Sequence, residues 1–236
     1  MESHGYHVYL ITGKQSPRFA YTIGIHPTVG AELVFAGAAA YSNEEVRQII
    51  VGVAEGMSRL RLGVPVELGP LGTFILRNAD PSWAETLMLG ALDYYGRSDI
   101  QALQIVPDRA HWTLDIPDLS RARTVESEPV WQWLTEPWTY EVSDRSVVVT
   151  NMDALKGSPA TEVMRWEIDQ WEMFAGAGPD VEKHEIRQVP LGTLLGADPS
   201  LQVAIKLETG KGLWRNPDNP VWHNWETSNP RSSRHI

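Results

Sequence analysis

The chain contains no cysteine. This excludes disulfides, a thiolate nucleophile and every zinc site built on sulfur. It has no run of 18 apolar residues, which excludes a membrane-spanning helix, and no basic region followed by an apolar stretch opens it. A soluble, cytoplasmic protein with no secretory signal is therefore expected. Positive charge is scarce as well: 20 Lys and Arg against 30 Asp and Glu leave a formal net charge of −10. Phosphate neutralisation needs clustered cations, so nucleic acid is not an expected partner, and a protein partner should be basic. His4 and His7 stand three apart with no H-x-x-x-H motif nearby, and the glycines around Pro70 lack a following Lys-Ser/Thr. Neither a metal site nor a phosphate-cradling loop is expected, and no cofactor is implied.

What is present is β-rich pattern and punctuation. Tyr6 to Ile11 and Phe19 to Ile25 carry aromatic and β-branched residues around a Gly-Lys-Gln-Ser-Pro turn and read as a hairpin. Glu32 to Gly37 is a third strand. Ser42 to Glu45 then offers capping groups to a helix with Val46, Ile49, Ile50, Val53 and Met57 at spacings of three and four, expected to end near Gly63. Pro65 to Leu76 reads as strand broken by Gly-Pro, Thr86 to Tyr95 as a second helix stopped by Gly96, and Ile100 to Val106 as a half-buried strand. Gln101 and Gln104 fall on its opposite faces.

From Asp115 to Pro137 prolines and mixed charges replace periodicity, the texture of a linker docked through its tryptophans. Beyond it, Thr139 to Val142, Val147 to Thr150, Thr161 to Ile168 and Trp171 to Phe174 are candidate strands, Leu191 to Gly196 a short helix, and Leu201 to Leu207 and Gly212 to Arg215 further apolar segments. The fold class expected is α+β: a mixed or antiparallel sheet with two helices over 1–116, a linker over 117–138, a smaller β-rich α+β domain over 139–228, and a frayed tail over 229–236. Eight of the ten tryptophans follow residue 130, so aromatic mass should build the second core or a contact surface. Trp166 and Trp171 are expected in that core.

The ordered segments GYHV, FAYTIGIHP, ELVFAG, LGALDYYG and LQIVPDRAHW resemble the bacterial family known as domain of unknown function 4262, over about residues 5–116. That family brings no established activity. The segments VVVTNMDALKGSP, WEMFAG, LGTLLGADPSL and GLWRNPDNPVW are similar to immunity-type companion domains, which implies neutralisation of a partner.

In FAYTIGIHP, period two puts Phe19, Tyr21, Ile23 and Ile25 on one side and the small Ala20, Thr22 and Gly24 on the other. His26 precedes a proline, which favours extended backbone and an imidazole at the strand end. Tyr21, His26 and Asp108 are thus the candidate catalytic residues, since a histidine near neutral pH moves protons and a carboxylate can orient it. Thr22, Gly24, Tyr94, Tyr95, Gln101, Gln104 and His111 are candidate ligand contacts, and Trp222, His223 and Trp225 a candidate partner patch. No serine nucleophile motif completes a triad. The leading functional expectation is a non-catalytic binding or immunity-type accessory protein that occludes its partner. The alternatives are a small acid-base enzyme acting on a peptide or amide around Tyr21 and His26, and a flavin-binding barrel.

Overall fold

The computed structural model describes residues 5–57 and 62–225. His4 and the tail expected to fray lie outside the described residues. Strands β1 (His7–Ile11), β2 (Phe19–Ile23), β3 (Glu32–Ala36), β4 (Val66–Glu67), β5 (Thr73–Asn78) and β6 (Ala102–Pro107) form one sheet in the order β1-β2-β3-β6-β5-β4. Only β3 and β6 run parallel. The sheet is open, ending on β1 and β4, so the barrel expected of a flavin site is not formed.

A one-turn helix α1 (His26–Val29) follows β2, and α2 (Asn43–Gly56) follows β3. The start of α2 is fixed reciprocally: the Ser42 hydroxyl accepts from the Glu45 amide at 3.2 Å while the Glu45 carboxylate accepts from the Ser42 amide at 2.7 Å. This helix stops at Gly56, seven residues short of the expected Gly63, and residues 58–61 of that interval lie outside the described residues. The expected second helix is two, α3 (Pro81–Leu87) and α4 (Leu89–Tyr95), broken where Met88 leaves helical geometry. Asp80 caps α3 and left-handed Gly96 ends α4.

β3 is buried along its whole length because both of its faces are covered. Leu33 and Phe35 join Val46, Ile49, Ile50 and Val53 of α2. Val34 and Ala36 join Trp83, Leu87 and Ala91 on the opposite face. The segment 117–138 closes that second face: Leu119 and Trp131 are buried there, and Trp131 meets Trp83 edge-on at 6.1 Å.

The second sheet contains β7 (Val147–Asn151), β8 (Glu162–Glu167), β9 (Gln170–Phe174), β10 (Ile186–Pro190), β11 (Lys211–Trp214) and β12 (His223–Asn224), in the order β10-β7-β9-β8-β11-β12. Helices α5 (Met152–Leu155) and α6 (Leu191–Ala197), with a 3-10 helix over Pro199–Lys206, cover one face, where Trp171, Met173, Val148 and Val163 meet Leu191, Leu194 and Leu201. The expected strand at 139–142 does not form. Trp138 and Tyr140 instead stack edge-on with each other and with Trp133, and Trp138 spends its indole N–H on the Val142 carbonyl. Trp166 is half-exposed on the uncovered face, against the expectation for it, whereas Trp171 is fully buried. A register shift between Arg165 and Glu167 accompanies this, with the Arg165 guanidinium lying 4.6 Å from the Trp171 ring.

The two sheets are joined by specific bonds. The Leu114 amide donates to the Leu155 carbonyl at 2.7 Å, the Trp133 indole to the Gly192 carbonyl at 3.2 Å, and Arg187 of β10 to the Ala40 carbonyl at 3.1 Å.

Candidate functional site

The FAYTIGIHP segment is organised around an unforeseen carboxylate, that of Glu32, which is fully buried. It accepts from the Thr22 hydroxyl at 2.5 Å, the Tyr95 hydroxyl at 2.5 Å, the Gly24 amide at 2.9 Å and the His26 amide at 3.0 Å. Gly24 takes φ of 117°, which ends the strand alternation and sends Ile25 into the α2 core instead of beside Tyr21 and Ile23. His26 consequently starts α1 with helical backbone and does not project from an extended strand end. Its ring lies against Tyr95, centroids 5.5 Å apart. Burial, then the hydrogen bond and charge of Glu32, push the Tyr95 hydroxyl up to about 12. Thr22 is wholly buried and donates inward, so neither it nor Gly24, packed against Gly5 and Tyr6, offers a free ligand contact. Tyr21 is buried between Tyr9 and Phe19 with its hydroxyl against Gly90, and Tyr94 is exposed.

Asp108 is far from this cluster. Glu32 pairs with Ala102 at the start of β6, while Asp108 follows its last residue, about 20 Å away along the strand. Tyr21, His26, Gln104 and Asp108 therefore do not share one pocket. Asp108 does meet His111, whose Nδ1 is 2.8 Å from its carboxylate, and the imidazole stacks on Tyr41 at 5.3 Å. Burial works to raise the Asp108 pKa, but the Thr73 amide and the side chain and amide of His111 outweigh it and hold the carboxyl below its ordinary value. Gln104 is buried and spent on backbone, donating to the Pro117 carbonyl at 2.7 Å and accepting from the Leu119 amide at 3.1 Å. Gln101 is exposed and donates to Asn78.

Of the tryptophan patch, Trp222 lies under the Arg215 guanidinium at 4.3 Å, and His223 pairs with Trp214 at 4.8 Å. Trp225 reaches over Gly212 onto the uncovered face of the second sheet, where it lines a groove with Trp166, Phe174, Glu162 and Glu172. Among the described residues no group of three or more metal-ligating side chains converges, and no helix is long and apolar enough to cross a membrane.

A cavity of about 650 Å³ lies between the two sheets. The turn between β1 and β2 supplies Lys14, Pro17 and Arg18 to one wall, and the β3–α2 connection supplies Ala39, Tyr41, Ser42 and Asn43. β10 supplies the opposite wall, with Arg187, Gln188 and Val189, and Thr193 of α6 and Arg145 close it. β10 is the edge of its sheet, so one side of its backbone has no strand neighbour and faces outward. Lys14, paired with Asp144 at 3.1 Å, lines the cavity with Arg18, Arg145, Arg187 and one acid, Asp115. That carboxyl is wholly buried, and burial pushes its pKa up despite bonds from Thr113 and Ala39. No local signal marks this site, because Arg18 and Arg187 sit in separate segments that each read as a turn or a polar edge.

Residues 1–112 match the family model described as Domain of unknown function (DUF4262). The first sheet and its helices lie within the stretch similar to that family. The match ends before β7, so the β10 and α6 wall of the cavity belongs to the part of the chain outside it. No curated protein and no solved structure matches the chain.

Proposed function

We propose that the chain is a binding protein whose site is the cleft between the unit similar to DUF4262 and the β10–α6 edge of the second sheet. The observation that carries this is the cavity itself. Interiors pack with few voids larger than a water molecule, and 650 Å³ lies within the roughly 300–1,000 Å³ of small-molecule sites. Its walls mix apolar side chains such as Pro17, Val147, Ile186 and Val189 with converging polar groups. Catalysis has less support. The Asp108–His111 pair stands one ring behind the cavity wall, and the neighbouring Tyr41 hydroxyl is committed to the Leu71 carbonyl at 2.8 Å. Burial, then the charges of Asp108 and Glu45, push that hydroxyl's pKa up, away from a useful nucleophile. The test is occlusion of the cleft from an exposed position. Gln188→Trp should retain the wild-type melting temperature and lose the thermal shift produced by fragments that bind wild type. Equal shifts in both proteins would place binding elsewhere.

A second reading rests on the uncovered face of the second sheet, where Trp166 is 51% and Trp225 36% exposed beside Glu162 and Glu172. Aromatic walls with carboxylates suit a lysine- or arginine-rich segment, and occlusion of such a partner is the immunity-type behaviour that the second half of the chain suggests. Trp166→Ala should weaken a Lys/Arg-rich peptide about tenfold by calorimetry; unchanged affinity would remove this reading.

A further inference from the structure

The wall chemistry goes beyond the presence of a cleft. In an acidic protein of net charge −10, the cavity is lined by four cationic side chains, of which Lys14 is paired with Asp144 at 3.1 Å, and by one carboxyl, Asp115, whose pKa burial raises. The two central guanidiniums hydrogen-bond to neutral groups and make no direct ion pair, although the charges of Asp115 and Glu45 reach Arg18, and that of Arg187 reaches Glu45. Arg18 donates to the Ala38 carbonyl at 2.8 Å, to the Tyr41 carbonyl and to Asn43 Oδ1 at 2.7 Å. Arg187 donates to the carbonyls of Ala40, His184 and Ile186. Neutral carbonyls fix the geometry of both groups, and among the described residues neither has a carboxylate within ion-pair distance. Burial lowers the pKa of Arg18, as does repulsion from Arg187, while Asp115 and Glu45 act against that.

Buried polar atoms without a partner gather at the same place. Arg18 Nε and Thr193 Oγ1 are both buried without a hydrogen bond and belong to lining residues, and Ser146 Oγ, also unpartnered, lies between the lining Arg145 and Val147. Thr193 is wholly buried. Orphaned buried polar groups are uncommon and call for an explanation.

From these groups we infer that the cleft takes a small organic anion, its carboxylate or phosphate between Arg187, Arg18 and Thr193 and its apolar body against Ile186, Val189 and Pro17. The inference rests on the cleft being the binding site. Bare inorganic phosphate leaves the apolar wall empty and should bind weakly.

Titrating benzoate, phenyl phosphate and neutral benzamide into the full chain tests it, with inorganic phosphate as a control. One or both aromatic anions should bind about tenfold or more tighter than benzamide and than inorganic phosphate, with the affinity falling as salt rises. Whichever anion binds more tightly identifies the head group. Arg187→Gln should weaken the anion about tenfold and leave benzamide unchanged. Thr193→Val should weaken it several-fold without lowering the melting temperature of the free protein, because the hydroxyl removed has no partner there; a purely structural Thr193 would show no loss of binding. Equal affinity for benzamide and the anions, or binding indifferent to Arg187→Gln, overturns the anion inference while the cleft reading stands. No binding by any of the three aromatic probes, or binding unaffected by Gln188→Trp, overturns both.

Discussion

Glu32 shows how one residue can decide the meaning of a motif. Its carboxylate gathers two hydroxyls and two amides from two separate stretches of chain, so the Thr-x-Gly-x-His part of the pattern is accounted for by a buried acceptor. The sequence displays the donors plainly. It does not display Glu32 as their common partner, because an acid at the start of a strand ordinarily reads as an exposed edge charge. Glu32→Ala should strand those donors and cost about 3 kcal/mol or more in urea unfolding; a loss below 1 kcal/mol would mean water replaces the carboxylate readily. Tyr95 gives a pH signature. Its hydroxyl titrates near 12 in the folded protein against about 10 when unfolded. The folded state therefore holds the proton more tightly, and the stabilisation is complete below pH 10 and lost as pH rises through 12. Melting temperatures between pH 9 and 12 should fall more steeply for wild type than for Tyr95→Phe, and parallel curves would refute this linkage.

At the scale of elements, legibility followed burial pattern. α2 is plain in the sequence because its buried residues Val46, Ile49, Ile50 and Val53 keep helical spacing behind a capping box. β3, β7 and β9 announce themselves through concentrated apolar residues. β10 does not: Ile-Arg-Gln-Val-Pro buries only Val189, as an edge strand does, and its identity depends on pairing with β7. The break at Met88 is equally silent, since neither glycine nor proline marks it and it arises from seating α4 on β2, with Gly90 against the Tyr21 hydroxyl. In α6, Gly192 and Gly196 form a small-residue face that admits the segment 129–134. A Cβ on Gly192 would come within 2.2 Å of the Gln15 carbonyl and 2.7 Å of Trp133, and one on Gly196 within 2.6 Å of the Pro129 carbonyl. Gly192→Ala should thus cost about 3 kcal/mol by forcing the two units apart, measured as a loss in denaturant midpoint. Wild-type stability would show that this contact yields freely.

For the molecule as a whole, the cleft exists only because two units meet. The unit similar to DUF4262 contributes the β1–β2 turn and the start of α2, and the second sheet contributes its exposed edge. Such a site is unreadable from local pattern, since its chemistry is distributed over turns and an edge strand that become neighbours only after both cores have formed. The charge of the chain points the same way: overall acidity hides a local cluster of cations. The most direct measurement is a crystal structure of the protein soaked with benzoate and phenyl phosphate. The account predicts density between Arg18 and Arg187 with an oxygen within hydrogen-bond distance of Thr193 Oγ1. An empty cleft, or anions bound only at other surfaces, would contradict it.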